Sequence, residues 1–80
     1  MKKLYFINTG DDLIEGVFNE KGVLIDAWSP NDACWRNEYF SGFMSVLGFD
    51  CVEGDEDLED TLRRHAMELW GLTAEEAGLE

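Results

Sequence analysis

The first half of the chain alternates between short apolar runs and turn residues, which predicts an antiparallel sheet. Residues 3–8 are rich in aromatic and β-branched side chains and form the first predicted strand. Residues 13–19 and 23–28 form two more strands, joined by Glu20-Lys21-Gly22, a three-residue hairpin loop with Gly22 in the left-handed region. We expect Asn19 to lie opposite Val23. That register places the following apolar residues on one face of the hairpin: Ile14, Phe18, Leu24 and Trp28. The opposite face then carries Leu13, Val17, Val23 and Ile25.

The second half switches to helical spacing. Ser29-Pro30 is typical of a helix start, with Ser as the N-cap and Pro at the first helical position, although the helix could begin nearer Cys34. Its predicted apolar stripe contains Trp35, Tyr39, Gly42, Phe43 and Val46, with Phe40 and Leu47 beside it. Gly48 is expected to end this helix as a left-handed cap, and residues 49–53 to form a short edge strand.

A final long helix is predicted after Gly54, with Asp55 as its N-cap and Gly71 as its end. One face carries Leu58, Leu62, His65, Ala66 and Leu69, so we expect Leu62 and Leu69 to be buried and Met67 to lie opposite. Acid–base pairs at i,i+4, Glu59–Arg63 and Asp60–Arg64, are expected on its exposed side. Thr73-Ala74-Glu75-Glu76 is a capping box for one last turn that Gly78 ends.

These elements predict a single α+β domain spanning residues 1–80. We expect an antiparallel sheet of three or four strands with two helices packed on one face. With 80 residues and 45% hydrophobic content, the chain can bury a real core, unlike a disordered acidic tail.

The chain has a net charge of −12, from 18 acidic and 6 basic residues, and this charge limits the kinds of partner it can bind. Seven acids lie within residues 50–60, and removing that segment still leaves −5. Such a field repels nucleic acid and membrane headgroups and attracts basic proteins. The short apolar start of the chain favours a cytoplasmic protein without a signal peptide, and Cys34 and Cys51 are then expected to be free thiols.

No pattern in the sequence brings a nucleophile and an acid–base group together as in a catalytic site, so we expect a protein that is not an enzyme. His65, the single histidine, is best explained as a residue at the edge of the core, and neither cysteine has a basic neighbourhood that would lower its thiol pKa. The acidic run fails the spacing of a calcium-binding EF-hand loop, and no glycine-rich phosphate loop occurs. We therefore expect no metal and no cofactor.

Two explanations of the acidic run remain. It could be only the solvated start of a helix, whose first turn favours negative charge. Alternatively, its carboxylates imitate nucleic-acid phosphates and occupy the basic groove of a nucleic-acid-binding protein. The candidate residues for that contact are Asp50, Glu53, Asp55, Glu56, Asp57 and Asp60, with Glu15 and Asp26 from the sheet.

In size, acidity and inferred architecture, the whole chain resembles the phage-encoded inhibitors of host defence. Anti-CRISPR proteins are the largest group of these inhibitors, and several of them act as DNA mimics. The resemblance rests on no sequence motif, so it assigns a role to no individual residue. It implies inhibition of a Cas surveillance complex or a Cas nuclease at its DNA-binding channel, in the host cytosol. The alternative function is a small adaptor or assembly protein that binds a partner through exposed aromatics such as Trp70, Trp35 or Phe40, together with the second sheet face.

Overall fold

A four-stranded mixed sheet forms the centre of the protein. The computed structural model describes residues 2–31 and 36–79. Its elements are β1 (Lys3–Asn8), β2 (Glu15–Asn19), β3 (Leu24–Trp28), α1 (Arg36–Val46), β4 (Asp50–Glu53) and α2 (Glu56–Trp70). The strand order is β3-β2-β1-β4, which confirms the α+β class and the short edge strand.

The edge strand β4 is parallel to β1, so the expectation of a purely antiparallel sheet is wrong. The reason lies in the connection. The hairpin makes β3 antiparallel to β2, and β2 is antiparallel to β1. Helix α1 then carries the chain back across the sheet, and a helical crossover of this kind returns the next strand in the parallel direction.

The hairpin between β2 and β3 has the expected turn but an unexpected bulge. Asn19 N donates to Val23 O at 3.0 Å, and Gly22 has a φ of +78°, as predicted. Phe18 then pairs with Leu24 while Val17 pairs with Asp26, which leaves Ile25 as an extra residue in β3. A bulge reverses the alternation beyond it.

Because of this bulge, the predicted grouping of Trp28 with Phe18 is wrong. Trp28 clusters instead with Val17, Leu4 and Phe6, whereas Leu24 stays beside Phe18.

The two helices lie on opposite faces of the sheet, not on one face as expected. Strand β1 is apolar at four successive positions, and alternate side chains point to opposite faces. Leu4 and Phe6 belong to a cluster that packs against Phe40 and Met44 of α1. Ile7 belongs to a second cluster, which also contains the following buried residues: Ile14, Phe18, Leu62 and Ala66. The domain therefore has three layers, with β1 buried from both sides.

Helix α1 is rotated relative to its predicted stripe. The ring of Phe40 lies 5.8 Å from that of Phe6 and 6.2 Å from that of Trp28, so Phe40 and Met44 form the packed side. Three residues of the predicted stripe are instead exposed: Tyr39 by 69%, Phe43 by 57% and Val46 by 86%. Two adjacent aromatic rings on the sheet determine the rotation, and helical spacing within α1 cannot show where those rings lie.

The ends of α1 agree with the sequence only in part. Gly48 has a φ of +95° after the last turn, as predicted. Pro30 and Asn31 form a turn, so Pro30 is not the first helical residue, and the alternative start near Cys34 lies outside the described residues.

Helix α2 begins and ends where the sequence predicts. The Asp55 carboxylate accepts a hydrogen bond from Leu58 N at 3.0 Å, and Gly71 closes the helix in the left-handed conformation. Leu62 packs so closely on β2 that a Cβ at Gly16 would lie 2.7 Å from its Cδ1 atom. Leu69, however, is 53% exposed, so its predicted burial is wrong.

The C-terminal turn, and not Leu69, supplies the apolar contacts that follow Ala66 in the chain. Thr73 N donates to the Glu76 carboxylate at 2.9 Å and Glu76 N donates to Thr73 Oγ1 at 3.1 Å, which confirms the capping box. The turn buries Ala77 completely, and Leu72 packs against the cluster under α2. No helix in residues 2–31 and 36–79 is long and apolar enough to cross a membrane.

Leu62→Ala should destabilise the fold by about 2–5 kcal/mol, because it removes a fully buried side chain from the contact between α2 and β2. Leu69→Ala should cost far less, because more than half of that side chain already contacts water. Urea melts of both variants measure the difference. Equal losses would show that the last turn of α2 is packed.

Candidate functional site

The acidic run is split between the edge of the sheet and the first turns of α2. Four side chains at the start of α2 are exposed, and we call them the α2 acidic surface: Asp55, Glu56, Asp57 and Asp60. No ion pair between described residues involves these four carboxylates. Part of the cluster is explained by helix chemistry alone, since Asp55 caps the helix and the first turn favours negative charge.

The two acids of β4 lie on opposite faces of the sheet. Glu53 is exposed but pairs in register with Phe6, which places it on the sheet face that α1 covers. It lines a groove of about 310 Å³ with Phe6, Asn8, Ser41, Cys51 and Val52. Asp50 is half-buried at the start of the strand and pairs in register with Lys3, which places it on the face of Tyr5 that α2 covers.

The two candidate acids from the sheet do not join the α2 acidic surface. Glu15 is only 5% exposed and lies opposite Trp28, and Asp26 is half-buried with its carboxylate accepting from Ala27 N at 2.9 Å. Both belong to the face of Val17, which α1 covers, whereas α2 packs on the other face. A partner bound at the start of α2 would therefore reach neither residue.

Tertiary structure adds one carboxylate that the sequence did not indicate. The loop of the β2–β3 hairpin lies beside the start of α2, and together they form a groove of about 340 Å³. Its lining residues are Tyr5, Asn19, Glu20, Lys21, Gly22, Asp55, Asp57 and Leu58. Glu20 is 35 residues from Asp55 in the chain, so no local pattern could have connected them.

The charge density of the α2 acidic surface is close to that of duplex DNA. Residues 55–60 span about 7.5 Å of helix axis at 1.5 Å per residue. Four carboxylates over that length, of which the one of Asp55 also caps the helix, give about one negative charge per 2 Å, compared with about one per 1.7 Å for the duplex. Because all four side chains are exposed, a basic groove could contact them without any unfolding of the helix.

Glu59 is withdrawn from this surface by Arg63. Arg63 Nε donates to the Glu59 carboxylate at 3.2 Å, so the expected i,i+4 pair exists. The pair was expected on the exposed side of the helix, but only 8% of Arg63 is exposed.

Arg63 also connects three segments that are distant in sequence. Its Nη1 donates to Asp11 Oδ2 at 2.8 Å and to Ala77 O at 2.9 Å, and its Nη2 donates to Thr9 O at 3.3 Å. The i,i+4 spacing predicts only a surface pair for this arginine. No local pattern indicates that the loop before β2 and the C-terminal turn return to the same side of α2.

These contacts change the pKa values of both partners. Partial burial acts to raise the pKa of Asp11, but hydrogen bonds from Thr9 and Arg63 outweigh it and lower that pKa below its usual value. Burial likewise acts to lower the pKa of Arg63, and the carboxylates of Asp11 and Glu59 outweigh it and raise that pKa. Both shifts favour the charged forms, so the network is an ion pair at neutral pH.

The sequence offers one histidine and two cysteines besides its acids. The described residues contain no group of three or more histidine, cysteine or acidic side chains that could hold a metal ion. His65 is half-buried on α2. Cys51 is a free thiol whose Sγ lies 3.6 Å from Ser41 O and from Ser45 Oγ, and Cys34 lies outside the described residues.

No protein-family model, curated protein or solved structure matches this chain.

Arg63→Met should destabilise the fold by about 3–5 kcal/mol, because it removes the Arg63 donor from the carbonyl groups of Thr9 and Ala77 and the cationic partner from the carboxylate of Asp11. Arg64→Met is the matched control, since Arg64 is exposed on the next position of the same helix. Thermal and urea unfolding of the two variants give the comparison. A loss no larger for Arg63→Met than for Arg64→Met would contradict the role of this network.

Asp11→Asn should be less stable than the natural chain at neutral pH, with a difference that disappears in acid. The lowered pKa of Asp11 means that its charge stabilises the fold above the ordinary value of 3.8, and that this contribution is lost as pH falls through the folded-state pKa. Urea midpoints between pH 7 and pH 2 measure both curves. Curves that stay parallel down to the lowest pH would show that the Asp11 charge does not contribute.

Proposed function

We propose that this protein is a non-enzymatic inhibitor that presents the α2 acidic surface to the basic nucleic-acid-binding groove of a partner protein. The observation that carries the proposal is the density of exposed carboxylates on the first turns of α2. A groove built to bind phosphates offers Lys and Arg side chains at a similar spacing, so the carboxylates can replace the phosphates. The proposed contact residues are Asp55, Glu56, Asp57 and Asp60, with Glu20 from the adjoining hairpin loop.

The remaining charge of the chain supports the same proposal. A net charge of −12 on 80 residues creates a field that accelerates encounter with a basic partner and opposes contact with nucleic acid. Two exposed bases lie near the surface: Arg64, one helical turn after Asp60, and Lys21, which lines the same groove as Asp55 and Asp57. Arg63 is already paired with Asp11 and Glu59. The surface thus keeps most of its negative charge for a partner.

The partner we favour is a Cas surveillance complex or a Cas nuclease, with the protein acting as an anti-CRISPR inhibitor of DNA binding. Small size, acidity and a compact α+β fold support this choice of target. The proposal for a basic groove in general does not depend on it.

The double variant Asp57→Lys/Asp60→Lys should lose most of its binding to such a partner, mainly through slower association, because the summed field steers the encounter. Displacement of labelled duplex DNA from a purified Cas surveillance complex measures the inhibition, and surface plasmon resonance measures the rates. Asp55 is left unchanged in this variant because its carboxylate caps the helix.

The matched control is Glu68→Lys/Glu75→Lys, which changes the net charge by the same amount at exposed positions outside the surface. We expect it to retain more affinity than the first variant and to show the same folded circular dichroism spectrum. Equal losses of affinity in the two variants would show that binding depends on net charge and not on the α2 acidic surface. Full inhibition by Asp57→Lys/Asp60→Lys would refute mimicry by this surface. If the natural chain displaces no DNA from any Cas complex, DNA-competitive capture of basic proteins from a bacterial lysate tests the general proposal.

The alternative function is a small adaptor that binds a partner through exposed apolar side chains. The observation that favours it is the exposure of Leu69 by 53% and of Trp70 by 41% at the end of α2. Of the other aromatics considered for this role, Phe40 is packed against the sheet and Trp35 lies outside the described residues. The salt dependence of partner binding distinguishes the two functions. Partner binding through the α2 acidic surface should weaken steeply as salt rises, whereas an apolar contact should change little.

A further inference from the structure

The two edges of the sheet differ in how readily they could accept another strand. Strand β3 forms one edge, and the extra residue Ile25 interrupts its regular pairing. A bulge of this kind hinders the addition of a further strand. Strand β4 forms the other edge and pairs with β1 in unbroken register over its whole length. Among the described strands none pairs with the outer side of β4, so this side is a regular open edge.

The backbone of β4 directs hydrogen-bonding groups to this open edge. Asp50 N donates to Lys2 O at 2.8 Å and Gly54 N donates to Phe6 O at 3.0 Å, so alternate residues face β1. In a parallel ladder, the residues between them turn their N–H and C=O groups to the other side of the strand. The residues that offer one donor and one acceptor each to an added strand are therefore Cys51 and Glu53.

The groove of about 310 Å³ that Glu53 lines runs beside the same edge. Cys51 and Glu53 point into it from β4, because they pair in register with Leu4 and Phe6 on the face that α1 covers. Ser41 of α1 lies across from them, with its carbonyl oxygen 3.6 Å from Cys51 Sγ. Ligand pockets typically measure about 300–1,000 Å³, so this groove has room for a side chain of an extended peptide.

Charge indicates which peptide suits this groove. Glu53 is exposed, and its carboxylate takes part in no ion pair between described residues. Phe6 supplies an apolar floor in the same groove. A Lys or Arg side chain can lay its alkyl chain on such a floor and keep its charge beside a carboxylate. The second acid of the strand, Asp50, lies on the other face next to Lys3 and does not contribute to the groove.

The same carboxylate opposes a second copy of the chain at this edge. Antiparallel pairing of two β4 strands over their full length would set Cys51 of each copy opposite Glu53 of the other. The two Glu53 side chains then become diagonal neighbours on one face, within reach of each other. Each copy also carries a net charge of −12. Charge complementarity therefore favours a basic segment over a second copy.

We propose that the open edge of β4 binds an extended basic segment of a partner protein as a fifth strand, with a Lys or Arg side chain of that segment in the groove at Glu53. Main-chain hydrogen bonds to Cys51 and Glu53 supply affinity, and the groove selects the side chain, as in other complexes formed by strand addition. The proposal does not rest on the proposed function, because it uses the face of the sheet opposite to α2 and the backbone of β4.

A short peptide that alternates lysine with valine and has blocked ends is the probe, and calorimetry measures its affinity. The peptide should bind the natural chain and shift the amide NMR resonances of Cys51 and Glu53. Glu53→Lys should weaken binding at least about tenfold, because it places a like charge in the groove. The matched control is Glu68→Lys, an equal change of charge at an exposed position on α2, which should retain most of the affinity. Circular dichroism should show both variants folded.

Backbone methylation of the peptide tests strand addition separately from charge. Only one of the two alternating sets of N–H groups in an added strand can face β4. Of two peptides with N-methyl groups on one set or the other, one should therefore lose its binding and the other should retain it. Both peptides keep the same charge, so electrostatic attraction alone cannot produce this difference.

Several results would overturn the proposal: no binding of the probe, equal affinities of the two methylated peptides, or equal losses in Glu53→Lys and Glu68→Lys. Equal binding of a peptide with glutamate in place of lysine would contradict selection by Glu53. A mass above 9.1 kDa in sedimentation, with a dependence on Glu53, would show that a second copy occupies the edge instead. These failures are distinguishable from failure of the proposed function, whose readout is displacement of DNA by the α2 acidic surface.

Discussion

Burial of β1 from both sides is the constraint on which the rest of the structure depends. Four successive apolar residues cannot all face one layer, so the strand requires cover on each face. Leu4 and Phe6 pack against α1 on one side of the sheet, and Ile7 packs against α2 on the other side. The central strand thereby separates a neutral apolar helix from an acidic one, with the sheet between them.

Arg63 adds polar contacts to the hydrophobic contacts on the α2 side. The last turn of α2 exposes Leu69 and Trp70, and Leu72 then packs against the cluster under α2. The buried guanidinium of Arg63 joins the loop before β2, the helix and the C-terminal turn. A buried charge is stable only with its hydrogen-bonding capacity satisfied, so these three segments are coupled in their folding. The same contact removes Glu59 from the α2 acidic surface, which links the stability of the fold to the shape of the candidate site.

The two faces of the sheet carry different side chains. The start of α2 exposes carboxylates, whereas α1 exposes Tyr39, Phe43 and Val46. The register of β2 and β3 turns Glu15 and Asp26 toward α1, so these two acids lie on the opposite face of the sheet from the α2 acidic surface.

The sequence by itself determined the elements whose signals are local. The two caps of α2, the glycine turns and the capping box at Thr73 depend on residues within one turn of each other, and the structure places them as the sequence predicts. The exposed acids at the start of α2 belong to the same class. The predicted start of α1 at Pro30 is the exception.

Only the tertiary structure decided how these elements face one another. A one-residue bulge at Ile25 moved Trp28 to the other face, and the rings of Phe6 and Trp28 then set the rotation of α1 around Phe40. Periodicity shows which residues share a side of a helix. The side that is buried depends on the shape of the neighbouring layer, and that shape arises from residues distant in the chain.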